Sequence, residues 1–176
     1  VSIATMPGMK ERTIILDGFS KTYAMTGWRL GYGAMPEEFA KVIGNLMVNS
    51  NSCTSMAVQI AGVEALNGPQ DDVKAMVAAF EKRRDLMVDG LNDIPGITCL
   101  RPKGAFYVFP NISGTGIKSK AFADQLLQDY GVAALSGTAF GAYGEGYLRL
   151  SYANSEENLT RALGRIRQMV ADLGIS

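Results

Sequence analysis

Lys21 and Arg29 are the residues in this chain best suited to do chemistry together. The lysine follows an apolar, β-branched run, Thr13-Ile14-Ile15-Leu16, and the arginine stands eight positions further on, with Gly18, Gly27 and Gly31 around the pair. An amine attacks a carbonyl only when unprotonated, and partial desolvation on a packed loop favours that form. A guanidinium is always charged and offers parallel donors that suit a phosphate or carboxylate. The two together suggest an aldehyde cofactor that carries a phosphate. Two solvated surface charges are the plain alternative, since charged residues are mostly exposed.

The length of the surrounding match decides between these. The segment SKTYAMTGWRLGY resembles the Schiff-base motif of class I/II aminotransferases, the fold-type I enzymes that depend on pyridoxal 5'-phosphate. GAFYVFP and YLRLSYANSEENL read as the bacterial aspartate aminotransferase-like group does. The resemblance implies that Lys21 is the catalytic lysine, holding the cofactor and then shuttling the substrate's Cα proton. It also implies that Arg29 contacts the cofactor phosphate, with the Ser20 hydroxyl beside it. The usual phosphate hydroxyl stands three residues before the lysine, and here that position is Gly18.

Arg149 matches the arginine that clamps the substrate α-carboxylate. In Tyr147-Leu148-Arg149-Leu150-Ser151-Tyr152 the alternation puts Leu148 and Leu150 on one strand face and Arg149, Tyr147 and Ser151 on the other. Gly104 and Phe106 match the segment that lines the substrate side, the glycine allowing close backbone approach. The alternative there is a turn glycine and a core aromatic. Asn51, Ser52 and Thr54 lie in a polar loop that in relatives reaches the neighbouring subunit's cofactor site.

The elements that position these residues follow from periodicity. Residues 12–17 read as a short buried strand of a parallel sheet, and residues 28–35 as the next strand. Pro36 opens a helix at its first position, with Glu37 and Glu38 near the positive end, running to about residue 48. Ser55 caps a helix over 56–66, which Asn67-Gly68-Pro69 ends. Apolar positions from Val73 to Leu91 recur at mostly three, four and seven, predicting one amphipathic helix over 70–91 whose run Glu81-Lys82-Arg83-Arg84-Asp85 is a solvated face with local ion pairs. Strands are expected at 97–100, 105–109, 132–135 and 146–152, and helices at 119–130 and 155–173, the last opened by a capping box from Asn154 to Glu157.

Mixed strands and helices give an α/β or α+β architecture, and α/β is the fold class expected. By resemblance it is the C-terminal part of a fold-type I pyridoxal-phosphate enzyme: residues 1–75 a remnant of the large cofactor domain, residues 76–176 a small α+β domain. The remaining family groups, an Asp for the pyridine nitrogen, an Asn and Tyr for the phenolic oxygen, a stacking ring and a glycine-rich phosphate helix, lie upstream in relatives. The 176 residues are therefore expected to be inactive alone. The parent activity implied is transamination of an aspartate-like amino acid with a 2-oxo acid such as 2-oxoglutarate, by a homodimer. A β-lyase of the same fold and a cofactor-sensing domain of a transcription regulator are the alternatives.

Composition narrows the classes. Seventeen basic and seventeen acidic residues cancel, which gives no support to a nucleic-acid or anionic-membrane partner. There is no histidine, so no Ser-His or Cys-His arrangement lies within this chain, and no metal site is expected. Cys53 and Cys99 lack ligand spacing and read as buried free thiols of a cytoplasmic protein. No apolar run is long enough for a membrane span.

Overall fold

The computed structural model describes residues 2–175. The chain divides into two compact units, one reaching Lys74 and the other starting at Ala75, so the division falls in the first turn of a helix.

In the first unit, β1 (Ile15–Gly18) pairs antiparallel with β2 (Gly31–Ala34), Gly18 opposite Gly31 and Ile15 opposite Ala34. The parallel, buried strand expected at 12–17 is thus corrected. β1 is antiparallel and largely open, with Leu16 79% exposed. An apolar run reports that a surface is meant to be covered, but the covering layer has to come from elsewhere. The strand expected from Trp28 starts three residues later, because Thr26–Trp28 forms a 3-10 turn and Arg29 takes a left-handed conformation.

Between the strands lies the one-turn helix α1 (Phe19–Thr22). α2 (Glu37–Ser50) follows with Pro36 at its N-cap instead of its first helical position, Glu37 and Glu38 in the first turn, and Lys41 paired to Glu37 at 2.7 Å. α3 (Met56–Asn67) has Ser55 at its N-cap, but the hydroxyl makes no capping bond. Phe39, Val42 and Leu46 of α2 and Met56, Ile60 and Val63 of α3 are exposed. Among the described residues of this unit, Phe19, Met25 and Gly62 are buried.

The second unit has a core. α4 (Asp71–Asn92) contributes Met87, Val88 and Leu91, α5 (Ser119–Gln128) Phe122 and Leu126, and α6 (Glu156–Asp172) Leu159, Leu163, Ile166, Met169 and Val170. These pack with Leu148 and Leu150 of β5 (Leu148–Ser151), the central strand of an antiparallel sheet ordered β3-β5-β4. β3 is Tyr107–Val108 and β4 is Leu135–Ser136. β3 is shorter than the periodicity predicts, and β4 shares only Leu135 with the strand expected at 132–135. Residues 97–100 are not a strand: only an isolated bridge joins Thr98 to Asn111.

Other details also differ from expectation. Ser155, not Asn154, caps α6: its Oγ accepts from the Asn158 amide at 3.2 Å, while Asn154 Oδ1 accepts from the Ser155 amide at 2.8 Å. The charged run of α4 reaches beyond its own helix, because Arg101 bonds both Asp85 and Asp89. Cys99 is buried but Cys53 is exposed. Among the described residues no helix is long and apolar enough to cross a membrane, and no cluster of His, Cys, Asp or Glu could hold a metal ion.

Candidate functional site

Lys21 is held by its neighbour. Phe19, two residues before it, is 4% exposed, and its ring lies 5.4 Å from that of Tyr23 and 5.7 Å from that of Tyr32. A Cβ at Gly62 of α3 would stand 2.5 Å from Leu30 Cδ2 and 3.5 Å from the Phe19 ring, so the absence of a side chain there lets α3 close over both. The Phe19 amide donates to the Leu30 carbonyl at 3.1 Å. Burying a phenylalanine in this way is worth roughly 1.5–3 kcal/mol, and it fixes a single helical turn that would not form in isolation. Lys21 stays exposed on that turn and Ser20 is half-buried. Gly18 is extended (φ −145, ψ 152), and its amide donates to Asp17 Oδ1 at 2.7 Å.

Arg29 has φ 55 and ψ 46, and its Nη1 donates to the Thr26 carbonyl at 3.0 Å. It lines an open cavity of about 560 Å³ with Trp28, Asn51, Ser52, Cys53 and Thr54. The structure therefore brings Arg29 together with the polar loop; neither Lys21 nor Ser20 is among the cavity's lining residues. An arginine with amide and hydroxyl donors around it suits an anion.

Backbone strain gathers on the same segments. The described non-glycine residues with positive φ are Ala24, Arg29, Ser52 and Ala105. Ala24 and Arg29 lie within the lysine segment, Ser52 lies in the polar loop, and Ala105 sits between Gly104 and Phe106. Each such residue costs of order 1–3 kcal/mol, and strain of this kind concentrates at active sites and ligand clamps.

In the second unit, Arg149 projects from the face of β5 opposite the buried Leu148 and Leu150. It lines a cavity of about 170 Å³ with Tyr107, Leu135 and Ser151. Its Cζ stands over the Tyr107 ring at 4.4 Å and the Phe140 ring at 4.8 Å. Among the described residues no carboxylate pairs with it. A half-buried cation whose neighbours are aromatic rings is suited to receive an anion from outside the chain. The glycine expected to allow close approach does not do so within this chain: a Cβ at Gly104 would meet nothing within 4 Å, and the strained residue is Ala105, at φ 61. Its carbonyl accepts from Tyr152 Oη at 2.8 Å. Phe106 is half-buried against the core, its ring 6.1 Å from that of Phe80.

Sequence reasoning missed Tyr107 and Phe140 as neighbours of Arg149. Tyr107 was legible in principle, since it lies on an adjacent strand. Phe140 comes from a 3-10 turn, Gly137–Phe140, whose placement no local pattern announces.

Comparisons with known proteins agree on the kind of molecule. The family model described as aminotransferase class I and II matches residues 2–166. The chain is 46% identical over 160 residues to the aspartate aminotransferase of Pyrococcus horikoshii, covering 90% of this chain and 41% of that protein. A crystal structure of the aspartate aminotransferase from Rhizobium meliloti superposes with a TM-score of 0.90 at 42% identity, covering 97% of this chain and 45% of that one. The aromatic aminotransferase structure from Pyrococcus horikoshii gives 0.93 at 40% identity, over 99% and 47%. The chain thus spans less than half the length of the relatives it matches, with the α/β architecture of part of a fold-type I aminotransferase. With a family model covering almost all of its residues and this agreement in backbone, the chain belongs to the class I and II aminotransferases.

Proposed function

We infer that this chain is the C-terminal part of a pyridoxal-phosphate-dependent aminotransferase acting on an aspartate-like amino acid, with a 2-oxo acid such as 2-oxoglutarate as acceptor. The observation that carries the reading is the coincidence of strain with motif: Ala24, Arg29, Ser52 and Ala105 all fall in segments singled out for chemistry. On this reading the unit up to about residue 75 belongs to a cofactor domain and the rest to a small substrate-side domain. The open apolar faces of α2 and α3 are covered in the complete homodimer.

The residues present fit the cofactor. An exposed primary amine at Lys21 answers its aldehyde, and Arg29 beside a cavity with amide and hydroxyl donors answers its phosphate, with Ser20 as a further donor. Bound there, pyridoxal 5'-phosphate supplies the electron sink for bond changes at the substrate Cα. Lys21 Nζ takes the Cα proton and returns it, which requires the amine to be unprotonated when it acts. Arg149 meets the α-carboxylate through two parallel N–H donors and so sets which substituent at Cα is presented for reaction. The family resemblance assigns Phe106 and Gly104 to the substrate side; within this chain the Phe106 ring rests on Phe80.

The test is to incubate the protein with pyridoxal 5'-phosphate, reduce with borohydride and map the modified lysine. Selective labelling at Lys21, abolished by Lys21→Ala, is expected. Labelling spread over Lys10, Lys41 and Lys74 would mean either that the half-site is disordered without the upstream domain or that the assignment of Lys21 is wrong. The same spread in the full-length protein would refute the assignment. In the full-length protein, amino-acid turnover should require a 2-oxo acid acceptor. Release of ammonia without one would indicate elimination in place of transfer.

A further inference from the structure

We propose that Tyr107 and Phe140 are positioning residues for Arg149: their rings hold the guanidinium in place before any carboxylate arrives. The inference rests on the reading of Arg149 as the carboxylate receptor and adds how that arginine is made ready. An arginine side chain has many rotamers, and freezing them on binding weakens affinity. Arg149 is spared much of this. Its Cζ lies over two aromatic faces, 4.4 Å from the Tyr107 centroid and 4.8 Å from that of Phe140. A ring face attracts the cation without occupying its N–H donors, which an acidic neighbour would do. The donors are therefore left for a ligand, and the cavity of about 170 Å³ on this face has room for a carboxylate.

The rings are themselves anchored. Phe140 meets Phe109 edge-on at 6.2 Å and 76°, and Phe109 stacks on Tyr147 at 5.2 Å and 10°. Tyr107 lies 4.5 Å from Phe106, which continues to Phe80 at 6.1 Å. The turn carrying Phe140 is pinned by backbone: a Cβ on Gly137 would come 2.1 Å from the Gly144 carbonyl oxygen. One aromatic chain runs from Arg149 to the core satellite around Phe80 and another to the base of β5. Either ring alone would leave the guanidinium free to swing about one contact; the second contact narrows that swing.

The experiment uses the full-length enzyme with Phe140→Leu, Tyr107→Leu and the ring-preserving Phe140→Tyr and Tyr107→Phe. Phe140 is 53% exposed, so the leucine variant removes a ring face without emptying the core. Each leucine variant should raise KM for the amino acid about three- to tenfold with kcat nearly unchanged, as loss of one ring contact to a cation implies. The ring-preserving variants should restore the parent value. Affinity for an amine of the same skeleton lacking the carboxylate should not move. A leucine variant that lowers melting temperature and kcat but leaves the carboxylate-to-amine preference intact would overturn the proposal, as would no change in KM. Arg149→Met separates the two levels. If it abolishes the carboxylate preference while the leucine variants do nothing, the ring proposal alone falls. If it leaves the preference intact, the reading of Arg149 itself falls.

Discussion

Exchanging two neighbouring residues, Gly104→Ala with Ala105→Gly, should stabilise the unit that begins at Ala75. Ala105 has φ 61, where a Cβ crowds the following carbonyl oxygen at a cost of about 1–2 kcal/mol. Gly104 is not among the positive-φ glycines, and a Cβ there would meet nothing within 4 Å. The exchange leaves composition unchanged. The extra entropy a glycine loses on folding, about 0.5–1 kcal/mol, therefore cancels between the two positions, and the left-handed cost remains as net gain. Tyr152 Oη donates to the Ala105 carbonyl at 2.8 Å; because that acceptor is backbone, the bond survives and keeps the loop in the same conformation. A gain of about 1–2 kcal/mol corresponds to a melting temperature higher by roughly 4–16 °C for a unit of this size. Thermal melts followed by near-ultraviolet circular dichroism read it directly. A melting temperature unchanged or lower would refute the reasoning, because it would mean that Ala105 is not held left-handed in solution. Adding Tyr152→Phe should reverse about 0.5–1.5 kcal/mol of the gain by removing the hydroxyl that holds the turn.

Other expectations can be checked alongside. Gly18→Ser should fold normally, since the backbone is extended and a Cβ would meet only the Leu30 carbonyl at 3.6 Å. By adding a donor for the phosphate it should tighten pyridoxal 5'-phosphate binding by about tenfold or more, read by absorbance titration. Gly137→Ala should destabilise by about 2–3 kcal/mol, since its Cβ would collide with the Gly144 and Tyr147 carbonyl oxygens at 2.1 and 2.8 Å; a melt checks this, and an unperturbed melting temperature would contradict the close approach. Glu145 should contribute to acid sensitivity. The Ser119 amide, donating at 3.0 Å, holds its carboxyl below the ordinary range. A depressed folded value means the contribution is complete above the unfolded value of about 4.3 and is lost as pH falls through the folded one. Glu145→Gln should therefore cost stability at neutral pH, with the difference shrinking on acidification; a difference that grows with acid would contradict the sign.

The elements that were legible in the sequence are those with strong local signals. The long helix α4 announced itself through apolar spacing from Val73 to Leu91, and α2, α3 and α6 lie within a few residues of expectation. The lysine segment was legible because a dozen residue types in order resemble a known family's motif; Lys21 and Arg29 alone read as two solvated charges. Short strands were read less well. Residues 97–100 make only a bridge and β3 only two paired residues, because pairing depends on a partner's position and not on the strand's own composition. The apolar run before Lys21 was read as buried for the same reason: hydrophobicity states a need, and burial requires another surface to meet it. Sequence by itself determined the residue types that can bind an aldehyde, a phosphate and a carboxylate, since those follow from the chemistry of lysine and arginine. Only tertiary structure decided that Phe19 anchors the lysine's turn beneath Gly62, that strain falls on Ala105 and not Gly104, and that Tyr107 and Phe140 frame Arg149. Each of these depends on groups distant in the chain being brought within a few ångströms, which no local pattern encodes.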